Sequence, residues 1–462
     1  MATSATYCTF VVHPDGSDLN GGAFDHKYAD TGTDASSDNS PICTIDGSAV
    51  TATIISSKVI ELDGYDVQTS DIGNCLFGQL DDSGTTWIQS GPINSVDTVN
   101  NRWGWSSTQS WVYYTATEFT SARLGGALQT PGGLTDPSAT TYGRMGSHSV
   151  AYIKAATYTM TSSDCESGGR MELGGDVVAL VAYKTTPGDH YDYPEDRVII
   201  DTGSTANDAN GVIYFSTSRI SFVTGFEVRG NSTWAKGFRT KVNCTNCVAK
   251  GLTENGFILS DNSVAAYCRA EDCGDVSGSK GGFLYGVQCE CIAIDCSPFG
   301  FKDGISFRCV AHGGTYGFEL SQYHSLVTCV ADGCSDTGFY ATSNRARSEN
   351  SVAMNCATGA TALGAYGPGN AFYNNTANSS DDDYNRYVNV KQLSSDPFND
   401  APNYDYTLND TAGGGAELAE RSPKFGAGVS EGGPQQQQSA QLKSTGSGST
   451  TVVTPGPVQI GM

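Results

Sequence analysis

Positive charge is scarce in this chain. Only 26 of its 462 residues are Lys or Arg, against 49 Asp or Glu, which leaves a formal net charge of −23. A field of that sign repels a phosphate backbone, so nucleic acid is not an expected partner. Long apolar runs are missing too. None reaches the ~18–20 residues that a bilayer-spanning helix needs, and membrane insertion is not expected. The stretch from Met1 to Cys8 lacks the basic and apolar regions of a signal peptide, so exit from a cell by lysis or a dedicated route is the expectation. Also absent are a Gly-x-Ser-x-Gly elbow, a Walker loop and a His-Glu metal pattern, which removes the commonest hydrolase, nucleotide and zinc-protease signatures.

What the chain does have is glycine, 56 residues of it, and a repeat. Cys247-Val-Ala-Lys-Gly recurs as variants beginning at Cys268, Cys291, Cys309, Cys329 and Ser351, with starts 21, 23, 18, 20 and 22 residues apart. A Gly-Phe pair accompanies the first five units, at Phe257, Phe283, Phe301, Phe318 and Phe339. Repeats of this length with variable spacing mark a solenoid whose loops absorb the variation. Cys-x-Ala alternates at period two, the mark of a short strand, with Cys and Ala inward. The column that follows reads Gly251, Asp272, Asp295, Gly313, Gly333 and Asn355, residue types that tolerate a left-handed backbone, and so marks a turn. No leucine ladder or helical half is present. The expectation is an all-β fold, a right-handed parallel β-helix.

Fifteen cysteines would suggest a disulfide framework in a small secreted domain. Here the count is odd and most fall in register: one column at 247, 268, 291, 309 and 329, and a second at Cys273, Cys296, Cys334 and Cys356. Cysteine behaves as a small buried hydrophobe, so reduced thiols inside a narrow tube are expected, with disulfides across neighbouring rungs as the alternative. Cys244 and Cys247 have metal-ligand spacing, but no second pair follows at zinc-site distance.

Along the chain, residues 1–40 read as a strand and loop capping the solenoid, and 41–147 as a small β-rich insertion. Residues 148–395 read as the β-helix, 396–428 as a cap crossing its open C-terminal end, and 429–462 as a linker-like tail. Val12-His-Pro-Asp-Gly-Ser-Asp-Leu-Asn-Gly-Gly-Ala-Phe24 resembles the opening of β-helix proteins of the pectate-lyase-like superfold. Val150 to Thr159 resembles that superfold's first rung. Asp71-Ile-Gly-Asn-Cys-Leu76 and Arg123 to Leu128 are similar to an insertion in phage-encoded members, the virion and tail-spike β-helix proteins. The resemblance implies a bacteriophage virion structural protein (tail spike, fibre or capsid-decorating protein), made in the host cytoplasm and working outside it. It also implies a homotrimer, contacts with other virion proteins in which the tail could share, and host attachment, with surface polysaccharide as a candidate target. Two other readings stay open: a polysaccharide depolymerase, either lyase or glycoside hydrolase, on the same fold, and a bacterial surface adhesin.

Candidate chemistry is thin, and no catalytic residue is expected outright. Asp272 and Asp295 share a column on adjacent rungs, with backbones expected ~4.8 Å apart, close to a retaining glycosidase pair. The Gly and Asn elsewhere in the column favour turn geometry, with calcium as a minor option and no other cofactor. Asp189 and His190 belong to a polar cluster after Pro187-Gly, of a kind that can serve acid–base chemistry but is equally ordinary in a loop. His312 and His324 fall on one repeat, where a lone exposed histidine is usually only that. Trp103, Trp105 and Trp111 could stack on sugar rings, or form the core of the insertion.

Overall fold

The computed structural model describes residues 9–421. Within that range it leaves out 25–38, 82–86, 107–116, 135–148, 160–170, 174–177, 188, 190–195, 203–210, 216–220, 231–235, 241, 261, 276–279, 322–324, 343–345, 362–364, 367–368 and 380–390. His190, Trp111 and His324 therefore lie outside the described residues.

Three parallel sheets wind around one core, a parallel β-solenoid. Among the described residues they hold 12, 11 and 10 strands, all parallel save the edge strand Ala23–Phe24, which pairs antiparallel with Thr9–Val12. Each complete rung contributes one strand to each sheet. The rung through the first Cys phrase, for instance, uses Val242–Thr245, Val248–Lys250 and Asn255–Leu259 in turn. The cysteine phrase builds the second sheet in strict register, Val248 on Arg269, Arg269 on Ile292 and Ile292 on Val310. Gly-Phe builds the third.

The inward face explains the repeat. Phe238, Phe257, Phe283, Phe301 and Phe318 stack with ring centroids 4.7–4.9 Å apart and planes within 8° of parallel, and Phe339 follows at 5.8 Å. That spacing is the inter-strand distance itself. Beside each ring the glycine is obligatory. A Cβ on Gly282 would come within 2.6 Å of the Gly300 carbonyl and 3.1 Å of Ala293. The thirteen described cysteines are all free, and the repeat column at 247, 268, 291, 309 and 329 is 0–2% exposed. Each thiol in it donates to a carbonyl of the preceding rung, as Cys291 does to Ala265 at 3.3 Å and Cys329 to Ser306 at 3.3 Å. Burial pushes the Cys268 and Cys309 thiols up, so they remain neutral donors.

Two columns of left-handed residues turn the corners. Gly251, Asp272, Asp295, Gly313, Gly333, Asn355 and Asn374 form one, all with φ between 49° and 69°. The other is Asn246, Tyr267, Glu290, Arg308, Thr328 and Asn350, with φ of 48–58°. Their amides continue the ladder, Glu290 N–H to Phe307 C=O and Arg308 N–H to Val327 C=O, both 2.9 Å. Composition hides this second column, because Tyr, Glu, Arg and Thr are not turn residues by type.

Thr9–Val12 is a strand of the first sheet and pairs in parallel with Val150–Lys154. The insertion leaves and returns beside it as two four-stranded antiparallel sheets. The Asp15-Gly-Ser-Asp18 loop fastens this junction. Asp18 accepts from the Gln129 and Thr130 amides and the Thr130 hydroxyl, while Asn20 donates to Ala127 C=O at 2.8 Å. The segment 396–418 does not simply cross the open end. Phe398–Asp400 and Asp405–Leu408 pair as a hairpin, and Phe398, Ala401, Tyr406 and Leu418 bury themselves with Ile292, Val310, Val330 and Val352. Those four are the outward positions of the second sheet. The segment is a strap along a flank, drawn there because that flank is apolar.

Candidate functional site on the third sheet

The sequence-derived candidates fall in four places. Asp272 and Asp295 hold the turn geometry just described, with φ of 51° and 49°. Burial, then the charges of Glu271 and Asp295, raise the Asp272 carboxyl above its ordinary value. Asp189 accepts from the backbone amides of Lys184, Thr185 and Thr186 at 2.7–2.9 Å, which makes it the keystone of its own turn. Trp103 and Trp105 are 0% and 4% exposed, so neither offers a ring face to a sugar. Their indoles donate to Asp71 Oδ2 and Gly91 C=O, both at 2.8 Å, which places them in the core of the insertion. Among the described residues no cluster of His, Cys, Asp or Glu has the geometry to hold a metal ion.

His312 is not solitary. Its Nδ1 lies 2.8 Å from the Tyr406 hydroxyl and 3.2 Å from Asp332 Oδ2, and Tyr406 donates to the same Asp332 oxygen at 2.9 Å. Asn355 donates to the other oxygen at 2.8 Å, and Tyr404 packs edge-on against the imidazole. This cluster fastens the strap. The hydrogen bond to Asp332, opposed by burial, raises the His312 pKa above its ordinary value. A raised folded-state value means that the stabilisation is complete below the unfolded value and is lost as pH climbs through the folded one. Hydrogen exchange of residues 404–408 should therefore accelerate as pH rises from below 6.5 through that range, beyond the intrinsic rate change. His312→Ala should abolish that extra acceleration, and an unchanged pH profile in the variant would refute the assignment.

The outward face of the third sheet carries a different set. The strands Phe299–Lys302, Tyr316–Leu320 and Thr337–Ala341 place Phe299 over Tyr316 and Lys302 over Glu319, with Glu319 over Tyr340. Phe299 and Tyr316 stack at 5.2 Å, and the Tyr316 and Tyr340 rings lie with centroids 4.9 Å apart and planes tilted by 31°. Both tyrosines are half-buried. Lys302 Nζ sits 4.5 Å from the Phe299 centroid and 2.7 Å from Glu319 Oε2. Asp336 accepts a hydrogen bond from the Tyr316 hydroxyl; burial, then that bond, raises the tyrosine's pKa. Burial raises the Glu319 carboxyl too, against the pull of Lys302 and with a push from Asp303. Three carboxyl groups thus surround two tyrosines and one lysine, with one carboxyl biased toward its protonated form. Pairs of titratable groups driven apart by their surroundings are what acid–base chemistry uses. Sequence reading missed this set because Glu319, Tyr316 and Tyr340 occupy outward positions that do not repeat.

The chain is a parallel β-solenoid protein with an antiparallel insertion at one end and a strap on one flank. No protein-family model matches it, and no curated protein does. Among solved structures it is similar to the catalytic domain of GH87 alpha-1,3-glucanase. The form bound to tetrasaccharides is 11% identical, covers 75% of this chain and 88% of that one, and has a TM-score of 0.28. The form bound to nigerose is 12% identical over the same shares, with a TM-score of 0.24. A likeness of that size is no basis for assigning an activity.

Proposed function

We propose that this protein is a polysaccharide depolymerase that works along the outer face of the third sheet, by hydrolysis of a glycosidic bond. The observation that carries the reading is the set formed by Glu319, Lys302, Asp303 and Asp336 around the Tyr316–Tyr340 pair. Glu319, with its raised carboxyl, serves as the general acid toward the leaving oxygen. A second carboxyl group on a neighbouring rung, Asp303 or Asp336, supports the developing positive charge or the attacking water. The hydroxyls of Tyr316 and Tyr340, on adjacent rungs, supply hydrogen bonds to a bound chain. The net charge of −23 disfavours polyanionic substrates, which points to a neutral glycan.

A second reading has one observation in its favour. The Lys302–Glu319 ion pair, with side chains only 14% and 11% exposed, ties up the acid. On that reading the same face holds a glycan without cutting it, which is the attachment role that the phage resemblance implies. Incubation with neutral glucans, an alpha-1,3-linked glucan among them, separates the two. Shortened oligosaccharides that disappear in Glu319→Gln support the depolymerase. Retention of the glycan with no products supports attachment, and neither retention nor products would remove the site from consideration.

A further inference from the structure

At one edge of the third sheet the packing rule of the solenoid is broken. Ile258, Leu284, Lys302, Glu319 and Tyr340 align from rung to rung on the outer face. One residue further on, Leu259, Leu320 and Ala341 are each 2% exposed and belong to the core. The two rungs between Leu259 and Leu320 carry Tyr285 and Asp303 there instead. Both are left-handed, with φ of 62° and 54°, and neither fills the core: Tyr285 is 42% exposed and Asp303 half-buried. That backbone is an outlier for a bulky side chain, and such outliers gather at ligand clamps. The stem of the ring is also pinned. The Tyr285 amide donates to Lys302 C=O at 2.9 Å, and its carbonyl accepts from the fully buried side-chain amide of Gln288. Gly286 follows at φ 67°, where a Cβ would lie 2.7 Å from Leu259 Cβ. Asp303 stands on the next rung, its amide donating to Glu319 C=O at 3.1 Å. A fixed, exposed aromatic ring thus borders the set built around Glu319.

We infer that Tyr285 is a stacking subsite for one sugar ring of a neutral glycan. The inference rests on the reading that a glycan lies along the third sheet. The surroundings of the ring select the occupant. A wholly apolar partner would cover the Asp303 carboxyl and the Lys302–Glu319 ion pair without replacing their water, which is costly. An anionic one would be repelled by Asp303 and by the net charge of −23. A neutral sugar offers C–H groups to the ring face and hydroxyls to the carboxyl beside it. Tyr285 stands two rungs from Glu319, about 10 Å along the axis. The sugar it holds is therefore a short way along the chain from the bond at Glu319. Contacts made away from the reacting atoms hold substrate and transition state alike, so the ring acts on affinity and not on the chemical step.

Two substitutions in the full chain test the inference. Tyr285→Asn removes the ring but keeps a residue type at home in left-handed backbone, so circular dichroism and melting temperature should stay near wild type. Tyr285→Phe keeps the ring and loses only the hydroxyl. Both are made on Glu319→Gln, which does not consume the ligand, and titrated calorimetrically with soluble neutral gluco-oligosaccharides of several linkages. The Kd of the oligosaccharide bound best should rise about 10-fold with Tyr285→Asn and stay within about twofold with Tyr285→Phe. In the chain that retains Glu319 the loss should appear in KM and not in kcat. Equal affinity with and without the ring overturns the inference, and it leaves the depolymerase reading standing if oligosaccharides are still released. Binding that is weakened by Tyr285→Asn in a chain that releases nothing upholds the subsite and removes the depolymerase. A loss with Tyr285→Phe as large as with Tyr285→Asn overturns stacking as the role of the ring. No binding of any neutral oligosaccharide overturns both the subsite and the glycan site it adjoins.

Discussion

Phe283→Ala should lower the stability of the solenoid by about 3–5 kcal/mol, the range for deleting a fully buried aromatic ring. Phe283 is 1% exposed, with Phe257 stacked on one side at 4.7 Å and Phe301 on the other at 4.9 Å. The substitution loses the transfer energy of the ring and two offset stacking contacts, and it leaves a void that neighbouring rungs cannot fill. Inter-strand spacing is fixed by backbone hydrogen bonds on both sides, so the walls cannot collapse inward. Repeat proteins depend on nearest-neighbour interfaces, so a void in a central rung weakens two interfaces at once. Phe307→Ser, on the outward face of the first sheet, is the contrast and should cost well under half as much. Urea denaturation of the two variants decides the matter. A Phe283→Ala midpoint no lower than that of Phe307→Ser would contradict the account of the core.

Glu319→Gln should reduce oligosaccharide release by roughly 10²–10⁴-fold, the usual contribution of a positioned general acid. Glutamine keeps the shape of the side chain but has no acidic proton to give the leaving oxygen. It also breaks the ion pair with Lys302, so retention of the glycan serves as the control for local structure. A pure depolymerase loses release and keeps retention. The acidic character of the step also sets the pH profile. Because burial raises the Glu319 carboxyl, activity should fall on the alkaline side as that group ionises, and the fall should lie above the ordinary carboxylate range. Release by Glu319→Gln within a factor of a few of wild type would exclude Glu319 as the acid.

Much of the fold was legible because a solenoid repeats its constraints. Six occurrences of one phrase, with a turn residue after each, define strand, inward face and corner together, and the register from Cys247 to Ser351 follows the phrase. The direction of the 396–418 segment was not legible. Its apolar residues Phe398, Tyr406 and Leu418 say only that something must be buried. What they bury is set by the outward positions Ile292, Val310, Val330 and Val352, which looked like variable sites inside the repeat. The second corner column was hidden for a related reason, since Tyr267, Glu290 and Arg308 adopt φ near 55° under the force of the ladder and not by preference. The carboxylates of the third sheet were hidden because outward positions, unlike the packed interior, are not held to one residue type from rung to rung. A signal was nonetheless present: Glu319 lies one residue after an inward Phe, where Lys302 and Tyr340 stand on the adjoining rungs. Reading the outward residue of each Gly-Phe unit as a column would have exposed it. The tryptophans carried a stronger signal by type, yet Trp103 and Trp105 face the interior of the insertion.

Hydroxyl-radical footprinting with and without a retained neutral glucan tests the central claim most directly, because it reports where the glycan lies whether or not it is cut. Protection should fall on Tyr316 and Tyr340, with Phe307 on the first sheet and Tyr404 on the strap unchanged. Protection of the insertion or the first sheet, with Tyr316 and Tyr340 as reactive as in the free protein, would contradict it.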